Sequence, residues 1–434
     1  MKPLRVLALA PSLLLAAIVM AGCASGPSNP PLSPSSGDPR VEPKPQLPGG
    51  IDQAGTKPDK PKPTKDEIAR AQVDGLTPPH MIGREITRAA VLLPFSHPNR
   101  RVRDEAQGML AGIEMALFEL ADESFLVIPK DTAGTVTGTE AAATTSIEEG
   151  ADVILGPLFA DNVRSVTPLA RGENAPVIAF SNDPTAASGG AYLASFTVEE
   201  EVARVVEYAA FQGVEAFAYL GPDSAFGRRV EQALRQYSAA NGAYVLASQF
   251  YDPTNAAPVD EAEAIANILA PMVEDNPGRV GVMIPESGVK LRSVAPLLPY
   301  YGVDFRNIRM LGTSQWDDPS IWREPTLNGA WFAVPDDDRV ADFEARYRRV
   351  YGVAPTNLSS LGYDAAAVAI DLKRRNRLDY GGITNAQGFL GANGLFRFRA
   401  DGTPQRSLAI MEIDTREGAE IVSPAGTTFT PAIN

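Results

Sequence analysis

Apolar residues along this chain fall into two recurring patterns. Short apolar runs bounded by Gly, Pro, Asn or Asp predict buried strands. They cover Ala89 to Phe95, Phe125 to Ile128, Val153 to Leu155, Val177 to Phe180, Ala216 to Leu220, Tyr244 to Phe250, Val280 to Ile284 and Ile308 to Leu311. Between them the apolar positions take a helical period. The clearest case is Asp104 to Leu120, with Met109, Ile113, Met115, Ala116, Leu117 and Leu120 on one face. The same rhythm predicts helices over Gly138 to Glu149, Ala160 to Arg171, Glu199 to Phe211, Arg228 to Ala240, Glu261 to Val273, Val289 to Tyr300, Ala341 to Tyr351 and Leu361 to Arg375. Tyr192 to Phe196 reads as a strand leading out of the first half, and Ala330 to Val334 as a crossing segment. The end changes character. Leu395 to Phe398 and Ser407 to Ile413 alternate around Asn393-Gly394 and Asp401-Gly402, which are hairpin signals.

Strands that alternate with helices predict doubly wound, mostly parallel sheets. The stretch from Ala151 to Asp183 is the organising β-α-β unit. Its loops Gly156-Pro157-Leu158-Phe159 and Ser181-Asn182-Asp183 follow strand C-termini, where such sheets place their ligand crevice. The rhythm restarts after Thr197, and the chain is too long for one sheet, so two lobes with a cleft between them are expected. No period of the helical-repeat kind is present.

The N-terminal part is different. Lys2 and Arg5 precede a mostly apolar run from Val6 to Ala21, too short for a membrane span and suited to a signal-peptide core. Met20-Ala21-Gly22-Cys23 follows, and resembles the lipobox of bacterial lipoproteins, which implies lipidation of Cys23. Ala24 after the cysteine implies sorting to the outer membrane by the same resemblance. From Ala24 to Lys65 there are eleven prolines and few large apolar side chains, so this segment is expected to be a disordered, extended tether. At ~3.1 Å per residue it spans on the order of 100 Å. Asp66 to Val73 reads as a short helix, and the folded part starts near Arg84.

Charge and composition narrow the chemistry. The net charge of −14 argues against nucleic acid as a partner and against binding to anionic lipid by charge, leaving the lipid anchor as the contact with membrane. Cys23 is the single cysteine, and His80 and His97 are the two histidines. Cys/His zinc sites are thereby nearly excluded, and no G-x-S-x-G motif is present for a Ser-His-Asp mechanism. Neither a cofactor, a metal nor a catalytic residue is expected, although a carboxylate-only mechanism stays open.

Several local patterns share one order. Gly156-Pro157 follows a buried strand, and Pro176-Val-Ile-Ala-Phe-Ser181 follows the next helix. Asp223-Ser-Ala-Phe-Gly227 opens a helix of the second half. Tyr351-Gly352 precedes Tyr363-Asp364, and Gly391, Gly394, Phe396, Phe398, Asp401 and Gly402 close the series. Together they resemble the type I periplasmic-binding-protein fold in its leucine/isoleucine/valine-binding branch. With the lipobox and the opening Ala89-Ala-Val-Leu-Leu-Pro-Phe95, the chain also resembles the penicillin-binding-protein activator lipoproteins, although their N-terminal helical-repeat domain has no counterpart here. The expected layout is a signal peptide at 1–22, a lipidated tether at 23–83, lobe one at 84–197 and 328–383, lobe two at 198–327 and 384–425, and a tail at 426–434.

The resemblance implies two functions. The first is a non-catalytic outer-membrane lipoprotein that activates a peptidoglycan synthase, a penicillin-binding protein, by contact. The alternative is a solute-binding lipoprotein holding an amino acid or other small molecule in the cleft for a transporter or receptor. By local match to the amino-acid-binding relatives, the cleft candidates are Phe159, Ala160, Ser181, Asn182 and Phe226. The acid that pairs with a ligand ammonium falls near Ser314 and Gln315, neither acidic, so Glu286 or Asp317 is a possible substitute. Trp316 and Phe226 are candidate cleft platforms, with ordinary packing as the other reading. For Asp364 a structural role at a helix start is expected. His97 reads as an exposed loop histidine, with a cleft-facing one as the other reading, and Arg100, Arg101 and Arg103 as a solvated loop, with an anion patch as the other.

Overall fold

A computed structural model describes residues 77–275, 277–335 and 337–429. The leader, Cys23, the tether and the helix expected over 66–73 lie outside the described residues. Strands β1 (Thr87–Leu93), β2 (Phe125–Asp131), β3 (Val153–Leu155), β4 (Val177–Ala179) and β5 (Ala191–Leu193) form one sheet in the order β2-β1-β3-β4-β5. Every pairing in it is parallel. Side chains alternate along β1. Ala89, Val91 and Leu93 enter the core on one face, Ala90 and Leu92 the core on the other. Both faces are thus covered, which is why these strands read as continuous apolar runs.

The helices α1 (Arg100–Leu120), α2 (Val136–Glu148) and α3 (Ala160–Gly172) follow the first three strands. Helix α1 begins on Asn99, whose side chain accepts the Arg101 N–H, so Arg100, Arg101 and Arg103 lie in its first turn and not in a loop.

After Thr197 the pattern repeats with α4 (Val198–Phe211), β6 (Ala216–Pro222), α5 (Ala225–Ala240), β7 (Tyr244–Tyr251), α6 (Val259–Asp275), β8 (Val280–Met283), α7 (Gly288–Val294), α8 (Leu297–Tyr300), β9 (Ile308–Leu311) and β10 (Trp331–Val334). The single helix expected over 289–300 is two, because Pro296 and Pro299 lack the N–H a continuous helix needs. The second sheet runs β15-β14-β10-β9-β8-β6-β7. Strands β6 to β10 are parallel; β14 (Ala409–Asp414) and β15 (Gly418–Ser423) extend the edge antiparallel. Phe217 and Tyr219 face one core, Ala218 and Leu220 the other.

Between those two passes, α9 (Asp337–Tyr351), α10 (Ser359–Arg374), α11 (Tyr380–Ile383) and the small antiparallel sheet β11 (Phe389–Gly391), β12 (Gly394–Phe398) and β13 (Pro404–Arg406) return to lobe one. Phe343, Leu361, Phe396 and Phe398 share its core with Val91 and Met109. Helices α1 and α10 cross without room for a side chain. A Cβ on Gly112 would lie 2.1 Å from the Ser359 carbonyl oxygen, and one on Gly362 2.3 Å from that of Met109.

The lobe boundaries therefore differ from those expected after the first crossing. Trp331 to Val334 is a central strand of lobe two, so the second crossing comes after Val334 and not at 328. The third falls at Arg406 to Leu408 and not at 383, because the β11–β13 sheet buries its aromatics in lobe one.

Candidate functional site

In each lobe the strand order reverses beside one strand: between β1 and β3 in lobe one, and between β6 and β8 in lobe two. The loops after these strands are where an open α/β sheet takes a ligand. The two loop sets face each other. Arg229, in the first turns of α5, donates from Nη2 to the Asn182 carbonyl oxygen in the loop after β4, at 2.8 Å. The same guanidinium binds both carboxylate oxygens of Glu199 at 2.8 Å each. This fork pairing raises Arg229 above its ordinary range, chiefly through the Glu199 hydrogen bonds.

On the lobe-one side, Gly156 has a φ of +115° and passes so close to β1 that a Cβ would meet the Leu92 carbonyl oxygen at 2.3 Å. That turn carries Phe159 and Ala160, both half-buried, to the crevice end of the sheet, where they begin α3. The Phe159 ring lies 5.7 Å from that of His97, in the loop after β1. His97 is half-buried, and its Nδ1 accepts the Asn99 N–H at 3.1 Å. His97 therefore packs within the crevice-side loop cluster, nearer the cleft-facing reading than the exposed-loop one. Ser181 is 3% exposed. Its hydroxyl accepts the Asp183 N–H, and its carbonyl accepts the Ser195 hydroxyl at 2.7 Å. Asn182 is exposed beside it.

On the lobe-two side, Phe226 is half-buried and packs against the core formed by Val230, Leu234 and Tyr219. The Glu286 carboxylate accepts the Tyr251 hydroxyl at 2.6 Å, and its carbonyl accepts the Trp316 indole N–H at 2.9 Å. Burial, with the bond to Glu286, pushes the Tyr251 phenol far above its ordinary range. Gln315 is exposed. Trp316 is 0% exposed, so it is a packing residue and offers no platform to a ligand. The 3-10 turn Ser314–Trp316 folds its ring under Gly312, where a Cβ would lie 2.1 Å from the indole.

The start of α4 brings in residues that the sequence reading passed over. Glu199, Glu200 and Glu201 share the first turn. Glu199 binds Arg229, and Glu200 pairs with Arg399 at 2.8 Å, a contact from lobe one to lobe two. Glu201 accepts the Ser314 N–H at 2.9 Å and the Ser314 hydroxyl at 2.8 Å. The carboxylate that sits against Ser314 is thus Glu201, from 113 residues away in sequence, and neither Asp317 nor Glu286. Burial pushes both Glu200 and Glu201 upward; Arg399 opposes the shift at Glu200, and the Ser314 bonds oppose it at Glu201. The only sequence signal was three acids at a helix start, which is ordinary dipole complementation.

Arg406 and Asp364 mark the hinge. Arg406 is buried between the rings of Phe196 and Phe396, 4.2 and 4.8 Å from their centroids, and donates from Nε to the Ser195 carbonyl. Asp364, fully buried, accepts the Ala392 N–H at 2.6 Å and lies 3.7 Å from Arg406. Asp364 thus joins α10 to the β11–β12 turn and to Arg406, a structural task, but one that holds a distant turn and not the helix start.

A depression of about 410 Å³ lined by Pro299, Gly302, Val303, Asp304, Phe305 and Arg306 lies at the opposite end of β9 from the crevice. Among the described residues no group of His, Cys, Asp and Glu is arranged to hold a metal ion, and no helix is long and apolar enough to cross a membrane.

Two three-layered lobes joined by three crossings, with facing switch points, define a two-lobed α/β binding protein. The chain belongs to the periplasmic binding protein family, whose model matches residues 87–419. Its fold is similar to that of a putative branched-chain amino acid ABC transporter protein from Rhodospirillum rubrum, at a TM-score of 0.65 and 16% identity over 78% of this chain and 99% of that one. It is also similar to an ABC transporter substrate-binding protein from Desulfitobacterium hafniense in complex with Leu, at 0.54 and 16% over 78% and 100%. A third similar structure is a solute-binding protein from R. palustris in complex with benzoate, at 0.51 and 15% over 80% and 98%. No curated protein sequence matches the chain.

Proposed function

We propose that this protein is a solute-binding protein that takes a small molecule between its lobes and presents it to an ABC transporter or receptor. The observation that carries this reading is the meeting of the two lobes' crevice-side loops, where Arg229 beyond β6 binds the Asn182 carbonyl in the loop after β4. A polar crevice at facing strand C-termini is the place for an orienting ligand contact in sheets of this order. The family match and the similar structures, solved with leucine and with benzoate, support the same reading. Neither speaks for activation of a peptidoglycan synthase, so the solute-binding alternative is the one carried forward. The protein acts by binding and does no chemistry. Lipidation at Cys23, with an outer-membrane address, remains part of the proposal, on the strength of Met20-Ala21-Gly22-Cys23 alone.

A thermal-shift screen tests it, with amino acids, aromatic carboxylates, short peptides and cell-wall fragments. A ligand at 100 times its dissociation constant adds about 2.7 kcal/mol of stability. A hit that Phe226→Ala or Ser181→Ala weakens supports binding in the crevice. A hit insensitive to both places the ligand elsewhere.

A further inference from the structure

Beyond β15 the chain leaves lobe two by a route that retraces its third crossing. The strand ends at Ser423, which pairs with Ile410 near the start of β14. Arg204 of α4 pins this end, donating from Nη2 to the Ser423 hydroxyl at 2.6 Å and from Nε to the Leu408 carbonyl at 2.9 Å. Ala425 packs on a lobe-two core, and Gly426 passes Ser407 so closely that a Cβ would lie 3.2 Å from the Ser407 hydroxyl oxygen. By Phe429 the chain has reached lobe one. The Arg397 guanidinium, on β12, lies 4.5 Å from the centre of the Phe429 ring. The same ring packs on Gly388, just before β11, where a Cβ would lie 2.9 Å from it. Arg397 is fixed for this contact, since it donates from Nε to the Gln405 side chain and from Nη1 to the Ala386 carbonyl, each at 2.8 Å. Between root and tip the residues are small, and Pro424, Gly426, Thr427 and Thr428 are exposed. Phe429 is half-buried and is the one large apolar side chain from 424 to 429, so its ring carries the attachment of the tip.

We propose that residues 424–429 are a fourth connection between the lobes, a strap rooted in lobe two at Ser423 and seated in lobe one by Phe429, which biases the lobes toward their present spacing. The inference goes beyond the solute-binding reading and is independent of which molecule the crevice takes. A non-covalent connection restrains the lobes only if both of its ends are held, and here both are: Arg204 and the β14 pairing hold the root, Arg397 and Gly388 the tip. Six extended residues span at most about 20 Å, so a wide rotation about Arg406 to Leu408 must lift the ring from its seat. A half-buried ring over a guanidinium is a weak contact, and its seating is therefore reversible. The strap accordingly weights the balance between lobe arrangements without locking it, and a ligand still shifts that balance by the difference in its affinity for them.

The test measures the distance between the lobes in the full chain without added ligand, by pulsed dipolar electron spin resonance. Spin labels go on Val136→Cys and Val289→Cys, in a chain that also carries Cys23→Ser so that no other thiol reacts. Both sites are exposed and stand at the crevice ends of their lobes, in the first turns of α2 and α7. With the strap intact the distance distribution should be narrow. Phe429→Ala, and separately removal of residues 424–434, should broaden it and move its mean outward by several ångströms. Phe429→Tyr, which keeps a ring over Arg397, should match the intact chain. A distribution unchanged in both Phe429→Ala and the truncated chain would overturn the inference and leave the solute-binding reading untouched. A shift on truncation that Phe429→Ala does not share would overturn Phe429 as the seat. Phe429→Ala against Phe429→Tyr decides the matter even if the truncated chain fails to fold.

Discussion

Glu201 is a buried carboxylate held by the Ser314 N–H and hydroxyl. Burial raises its pKa, and Glu199 nearby adds to the rise, while the Ser314 bonds oppose it. The sign follows directly. Between the ordinary carboxylate range and the raised native value, the folded protein keeps a proton that the unfolded chain has released. Stability from this group is full below that window and is lost as pH rises through it. Glu201→Gln, which can still bond Ser314, should therefore raise the apo melting temperature at pH 7.5, by about 1 kcal/mol or more in stability, and give no gain at pH 4.5. Urea unfolding at both pH values measures this. A loss at both would show that the carboxylate's bonds outweigh its buried charge. Trp316 makes the opposite case. It is wholly buried and both its N–H and its carbonyl are bonded, to Glu286 and Trp322 respectively. Trp316→Phe, which keeps most of the ring volume, should cost less stability than Trp316→Ala, for which about 3–5 kcal/mol is expected. Thermal unfolding ranks the two.

At the scale of elements, sequence legibility followed burial. The parallel strands were readable because both their faces are covered, which leaves uninterrupted apolar runs such as Ala89 to Leu93. The edge strands β13 and β15 were not, since Pro404-Gln405-Arg406 and Gly418 to Ser423 carry little apolar pattern and are held by pairing to β12 and β14. Crossings between lobes were the hardest to place. Trp331 to Val334 is apolar enough for either lobe, and its pairing with β9 on one side and with β14, some eighty residues on, on the other assigns it. The same holds at the site. Phe159, Ser181 and Phe226 stand at strand-to-helix turns that local sequence reveals, whereas the bond from Glu201 to Ser314 spans 113 residues. The α1–α10 crossing gives the prediction at this scale. Gly112→Ala puts a methyl against the Ser359 backbone, which cannot yield as a side-chain end would. It should cost about 1–3 kcal/mol, read by thermal unfolding, with ligand preference unchanged in the folded fraction.

For the whole molecule the issue is how the lobes are held. Arg229 and Arg399 cross between them near the crevice, and Arg406 lies in the hinge. Arg229 and Glu199 are about a quarter exposed, so their pairing adds little to global stability. Its leverage is on the balance between lobe arrangements, which a ligand shifts only by the difference in its affinity for them. Arg229→Ala should leave the melting temperature within a few degrees of wild type and increase the radius of gyration of the free protein in small-angle scattering. An unchanged radius would show that the hinge, and not this bridge, sets the lobe spacing.

The central claim, a small molecule bound between the lobes, is tested most directly by titration calorimetry of the purified chain with the compound that gives the largest thermal shift. Binding should show one site per chain, a negative heat-capacity change from buried apolar surface, and an affinity at least tenfold weaker in Phe226→Ala. Saturable binding that Phe226→Ala leaves untouched, or no binding heat from any compound class in the screen, would contradict it.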